Sequence, residues 1–125
     1  MSERLPVLRI GGNLLVSIQA DLDDQTVMNL QEDLAEQVVK HGARGVIIDI
    51  TAAEIVDSFV GRMLSTIASV SQLLDAETVV VGMRPAVAIT LVELGLSLGG
   101  VRTALNLEQG LAILSERSAP RVTRR

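Results

Sequence analysis

Gly45-Val46-Ile47-Ile48-Asp49-Ile50 is a six-residue apolar run with no polar residue inside it until Asp49. A strand with one wet face alternates; a β-branched run without alternation belongs to a strand covered on both faces, as in the middle of a parallel sheet. Working outward, Thr51 to Asp57 is a polar connection. Phe59, Met63, Ile67, Val70 and Leu74 then recur at helical spacing and mark a buried stripe. Glu77–Gly82 supplies a second buried strand around Val79-Val80-Val81. Arg84-Pro85 opens a helix, since proline suits the first turn, and Gly95 closes it. A brief strand, Val101–Ala104, leads to Asn106-Leu107-Glu108-Gln109, a capping-box-like start for a last helix ending near Arg117.

On the N-terminal side, Val7–Ile10 and Leu14–Ile18 flank Gly11-Gly12-Asn13, the composition of a hairpin turn. Asp23 or Asp24 caps the next helix, with Val27, Leu30, Leu34 and Val38 on one face. It stops at His41-Gly42. The order β-β-α-β-α-β-α-β-α predicts an α/β fold. Its sheet is mostly parallel with right-handed crossovers, one antiparallel hairpin at the N-terminal edge, and about four helices. Residues 1–117 are expected to form this single domain and 118–125 a flexible basic tail with Arg121, Arg124 and Arg125.

Composition narrows the function. The chain has 125 residues, 48% hydrophobic, with Phe59 as its only aromatic residue and a net charge of −4. Stacking on bases is nearly unavailable, and no general attraction to nucleic acid or an anionic bilayer is expected. There is no cysteine, no apolar run long enough for a signal peptide or membrane span, and the expected location is cytoplasmic.

Catalytic and cofactor chemistry finds little to build on. His41 is the single histidine and sits where a partly positive imidazole would cap a helix. Asp21, Asp23 and Asp24 lack the calcium-loop pattern and read better as helix caps. Lys40 is the only lysine, and no glycine-rich phosphate loop is present. Asp49 at a strand end suggests an aspartyl-phosphate receiver, but the accompanying acidic pair and lysine are missing. The chain is therefore expected to be no enzyme and to hold no cofactor or metal. What remains is Val56-Asp57-Ser58-Phe59-Val60-Gly61. Asp57 or Ser58 reads first as a helix cap. A hydroxyl at a helix N-terminus is also a place where an added phosphate meets free N–H groups and a favourable dipole.

At this motif the sequence resembles the STAS family, the domain shared by sulfate transporters and anti-sigma-factor antagonists. The likeness includes the hairpin, Val46-Ile47-Ile48-Asp49-Ile50, the Asp57-Ser58 pair and Val79-Val80-Val81-Gly82. Simple antagonists usually read Asp-Ser-Ser-Gly, whereas Phe59 and Val60 follow Ser58 here. Gly82-Met83-Arg84-Pro85-Ala86-Val87-Ala88 with Leu91-Val92-Glu93-Leu94-Gly95-Leu96 is similar to the stressosome branch, and Asp-Ser-Phe on a bare domain to its RsbS type.

The resemblance implies a non-catalytic scaffold that self-associates and assembles with RsbR-like STAS paralogues. Such a scaffold holds an RsbT-like serine/threonine kinase until that kinase phosphorylates Ser58, and a phosphatase resets the serine. It further implies Thr90 as a second phosphorylation site and Asp57, Phe59 and Arg84 as partner contacts. The alternative within the family is a simple antagonist binding an anti-sigma kinase directly.

Overall fold

The computed structural model describes residues 5–18, 23–53, 58–95 and 100–118, apart from the side chains at 58, 117 and 118. In chain order the elements are β1 (Leu8–Ile10), β2 (Asn13–Ser17), α1 (Asp24–His41), β3 (Gly45–Asp49) and α2 (Ser58–Leu73). They are followed by β4 (Glu77–Val81), α3 (Pro85–Glu93), β5 (Val101–Ala104) and α4 (Leu107–Ser118). The five strands lie in sequence order in one sheet, β1-β2-β3-β4-β5. Only β1 and β2 are antiparallel; every other neighbouring pair is parallel. The expected α/β architecture and its antiparallel edge are both present. Asn13 is the first residue of β2, paired with Ile10, so the turn is Gly11-Gly12 alone.

Strand periodicity divides the core into two. Leu14, Val16, Val46, Ile48 and Val80 point to one face and pack with α1, α2 and α3 through Leu30, Leu34, Val38, Met63, Leu64, Ile67, Val87 and Leu91. Ile47, Val79 and Val81 point to the other, against Leu107, Leu111 and Leu114 of α4. Val46, Ile47 and Ile48 are all fully buried, which is why β3 shows no alternation. Each such aliphatic side chain contributes roughly 1.5–3 kcal/mol relative to exposure. Gly110 lets α4 approach this closely, since a Cβ there would stand 2.8 Å from Val81 Cγ1.

Local signals explain the helix ends. Asp23 caps α1, its Oδ1 accepting from the Thr26 N–H at 2.7 Å, and Gly42 ends the helix in the left-handed conformation. Asn106 Oδ1 accepts from the Gln109 N–H at 2.8 Å. The Gln109 side chain reaches back to the N–H of Leu105, completing a capping box displaced by one residue. The expectation of a partly positive His41 needs correction: partial desolvation, then Arg9 and Lys40 nearby, push its pKa below the ordinary imidazole value. Asp21, Leu96, Arg121, Arg124 and Arg125 lie outside the described residues.

Candidate functional site

Parallel strands joined by right-handed crossovers bring the C-terminal ends of β3 and β4 to one edge of the sheet, together with the N-termini of the helices that follow. That edge carries Ser58 at the start of α2 and Arg84 at the start of α3. Ser58 is the first residue of α2, where the backbone N–H groups of the first turn lack helical partners and the helix dipole is positive. Asp57 lies outside the described residues. Phe59 is half-buried and packs against the core shared with α1–α3, so its ring anchors the start of α2 as well as showing part of itself to solvent.

The segment leaving β3 is fixed by its own side chains. Asp49 Oδ1 accepts from both the N–H and the hydroxyl of Thr51, at 2.9 and 2.6 Å. Ala53 N–H donates to Ile50 O at 2.9 Å, closing a turn. The next segment over, leaving β4, is joined to it. Ile50 N–H donates to Val81 O at 3.0 Å. Gly82, at φ +79°, lies flush against Thr51 with no space for a Cβ. Arg84 Nη2 donates to Thr51 O at 3.2 Å. Asp49, which suggested a phosphate acceptor, thus has one carboxylate oxygen engaged in holding Thr51.

Arg84 is the N-cap residue of α3, extended at φ −78° and ψ 149°, with Pro85 after it in the first turn. The sequence pointed to Arg84 as a partner contact or helix opener; the structure gives it the second role together with the tie to Thr51. Thr90 sits on α3, half-buried, its hydroxyl donating to Ala86 O at 2.9 Å. Esterification would remove that donor. Thr51 and Gly82 are not singled out by the sequence as site residues, and Asp49 is read there only as a phosphate acceptor. The available signals were an aspartate two residues before a threonine, which favours an Asx turn, and a glycine at a strand end.

Two other features lie elsewhere. An open cleft of about 400 Å³ is bordered by Gln72, Asp75, Glu77, Gly100 and Arg102. It sits at the opposite edge of the sheet, where β4 and β5 begin, and Arg102 is ion-paired with Glu77 at 3.3 Å across it. Among the described residues no cluster of three histidine, cysteine, aspartate or glutamate side chains could hold a metal ion. No helix among them is long and apolar enough to cross a membrane.

This arrangement, a sequentially ordered mixed sheet with a serine opening the helix after the third strand, matches the STAS domain over residues 4–109. The chain belongs to the STAS family. It is similar to a solved serine-to-glutamate variant of RsbS from Moorella thermoacetica, with 41% identity and a TM-score of 0.81. That match covers 93% of this chain and 98% of the other. A chain in the solved architecture of the stressosome, described as a signal integration and transduction hub, is 42% identical with a TM-score of 0.80. It covers 90% of this chain and 98% of that one. Among curated proteins, the RsbT co-antagonist protein RsbRA of Bacillus subtilis is 31% identical over 85% of this chain, which spans 39% of RsbRA. The domain is of the stressosome RsbS/RsbR type.

Proposed function

We propose that this chain is a non-catalytic stressosome scaffold and kinase antagonist working in the cytoplasm. It sequesters a serine/threonine switch kinase of the RsbT type and releases it when Ser58 is phosphorylated; a phosphatase restores the hydroxyl. The observation that carries this reading is the likeness to RsbS at 41% identity over nearly the whole of both chains, with Ser58 opening α2. The likeness to RsbS and to a stressosome chain supports assembly with copies of itself and with RsbR-like paralogues.

The mechanism is electrostatic. Phosphate adds about 1.5 to 2 negative charges and three acceptor oxygens. At a helix N-terminus the dipole favours an anion by about 0.3–1 kcal/mol, so the domain tolerates the modification. A partner surface fitted to the neutral hydroxyl must instead bury that charge, and dissociates. ATP is supplied by the kinase, and this chain needs no cofactor of its own.

Incubation with the kinase and ATP, followed by mass-spectrometric mapping, should place the phosphate on Ser58. Ser58→Ala should abolish labelling and keep the kinase bound in pull-downs. Ser58→Asp should weaken capture, in part, while the circular dichroism stays native. Labelling elsewhere, or undiminished labelling of Ser58→Ala, refutes the switch; a secondary label on Thr90 is compatible with it.

A further inference from the structure

Helix α4 starts at Leu107 with Asn106 as its cap, so Leu105 stands just before the cap. An apolar residue there ordinarily closes over the fourth residue of the helix and fixes the angle at which the chain enters. In α4 the fourth residue is Gly110. A Cβ at that position would stand 2.8 Å from Val81 Cγ1, so close packing on the sheet favours glycine there and leaves Leu105 no side chain to close on. The leucine is 76% accessible, while its neighbours Ala104 and Leu107 pack against the core beneath α4. Its backbone is nevertheless held on both sides. The Leu105 N–H donates to Gln109 Oε1 at 3.4 Å, and the Ala104 carbonyl accepts from the Gly82 N–H at 3.3 Å. A large apolar side chain is thus presented from a fixed turn, with little backbone freedom left to lose on contact.

This turn lies where the parallel strands end, the same edge at which α2 begins. Helix α2 packs along β4 and joins it through Leu74–Ala76, whose N–H groups bond back to Val70, Ser71 and Gln72. Its sixteen residues rise about 24 Å. A five-residue strand is only about 17 Å long, so α2 carries Ser58 back to the far ends of β3 and β4. Neighbouring strands are about 4.8 Å apart, which puts the ends of β3 and β5 about 10 Å from each other. A protein interface covers about 800 Å² of each partner, a patch about 30 Å across. We propose that Leu105 is a docking anchor for the switch kinase, filling an apolar pocket of that partner while its active site addresses the start of α2. The choice of occupant rests on the phosphorylation reading above; the exposure and fixed backbone of Leu105 do not. A second copy is better matched by the outer face of α3, where Ile89 and Val92 are 58% and 75% accessible. A lone leucine on a turn suits a pocket instead. Leu105 carries no charge and takes no part in phosphoryl transfer, so it serves binding alone.

The test uses the full chain and a purified RsbT-type kinase, first without ATP and then with it. Leu105→Ala should raise the Kd for the kinase about fivefold or more. Leu105→Met, which keeps the apolar volume, should stay within about twofold of wild type. With ATP present, Leu105→Ala should raise KM for Ser58 labelling and leave kcat unchanged, the signature of lost binding rather than lost chemistry. Urea midpoints of both variants should match wild type, because the side chain is already exposed. Unchanged kinase affinity in Leu105→Ala, with Ser58 labelled normally, overturns the anchor and leaves the switch standing. A wild type that neither binds the kinase nor is labelled at Ser58 overturns both. If Leu105→Ala keeps its kinase affinity but forms smaller particles in light scattering, the leucine belongs to contacts between copies and the kinase is not its occupant.

Discussion

Gly82 meets two demands that no other residue satisfies together. Its φ of +79° lies where side chains are strained, and a Cβ would run into the Thr51 hydroxyl. Gly82→Ala is therefore expected to cost about 1–3 kcal/mol from backbone strain alone, with the clash adding to it. Urea unfolding measures this. Adding Thr51→Ala removes the clashing oxygen and leaves the strain, so the double variant should be less destabilised than the sum of the singles. Strict additivity would show that the contact carries no energy. At this scale the sequence was partly legible. Ser58 stood out through the resemblance of the Asp57-Ser58 pair to the STAS family, since a serine before an apolar helix by itself reads first as a cap. Thr51 did not, because its meaning depends on Gly82 and Arg84, which are more than thirty residues away and adjacent only in the fold.

At the scale of elements, the signals that could be read were local ones. Asp23, Gly42, Pro85 and Asn106 each act within a few residues of themselves, and each marks a helix end where expected. The α2 stripe was read one residue wide, from Phe59 to Leu74, yet Leu64 and Ala68 are also buried, at 0% and 1% accessible. Helix α2 packs both on the sheet and beside α1, so its buried arc is wider than that of a helix with one neighbour. The cap on α1 yields a pH prediction. The Thr26 N–H, bonding the Asp23 carboxylate, lowers its pKa from the ordinary value. The unfolded chain therefore binds the proton more readily, so the cap's contribution is present above the unfolded carboxylate pKa. It is lost as pH falls through the lower folded value. Unfolding midpoints of wild type and Asp23→Ala should differ at neutral pH and converge in acid. A gap that persists unchanged below pH 3 would mean that the ionised cap is not the cause.

At the scale of the whole molecule, the order of strands followed from alternating β and α segments, but the side of the sheet taken by α4 did not. After the last strand no further crossover constrains it. The structure places it opposite the other three helices, over Ile47, Val79 and Val81, which is what covers the second face of β3 and β4. With both faces and α1–α3 accounted for, the apolar residues that stay outside on α3 have no partner in the described fold. Val87 and Leu91 turn inward, while Ile89 and Val92, three apart and so neighbours on the helix surface, turn outward beside a half-exposed Leu94.

Clustered exposure of this kind marks contact surfaces more often than chance. The Pro85 to Leu94 segment is where a scaffold of this type would meet copies of itself or an RsbR-like subunit. Light scattering of the pure chain, and of its mixture with such a subunit, should show particles heavier than the monomer that grow with concentration. Ile89→Glu with Val92→Glu should shift both samples toward smaller species. Because both side chains are already exposed, folding stability should change by no more than about 0.5 kcal/mol, so a loss of assembly cannot be ascribed to unfolding. A wild-type chain that stays monomeric at high concentration, alone and mixed, would remove the scaffold reading and leave an isolated antagonist. Assembly undisturbed by the two glutamates would move the contact to another face.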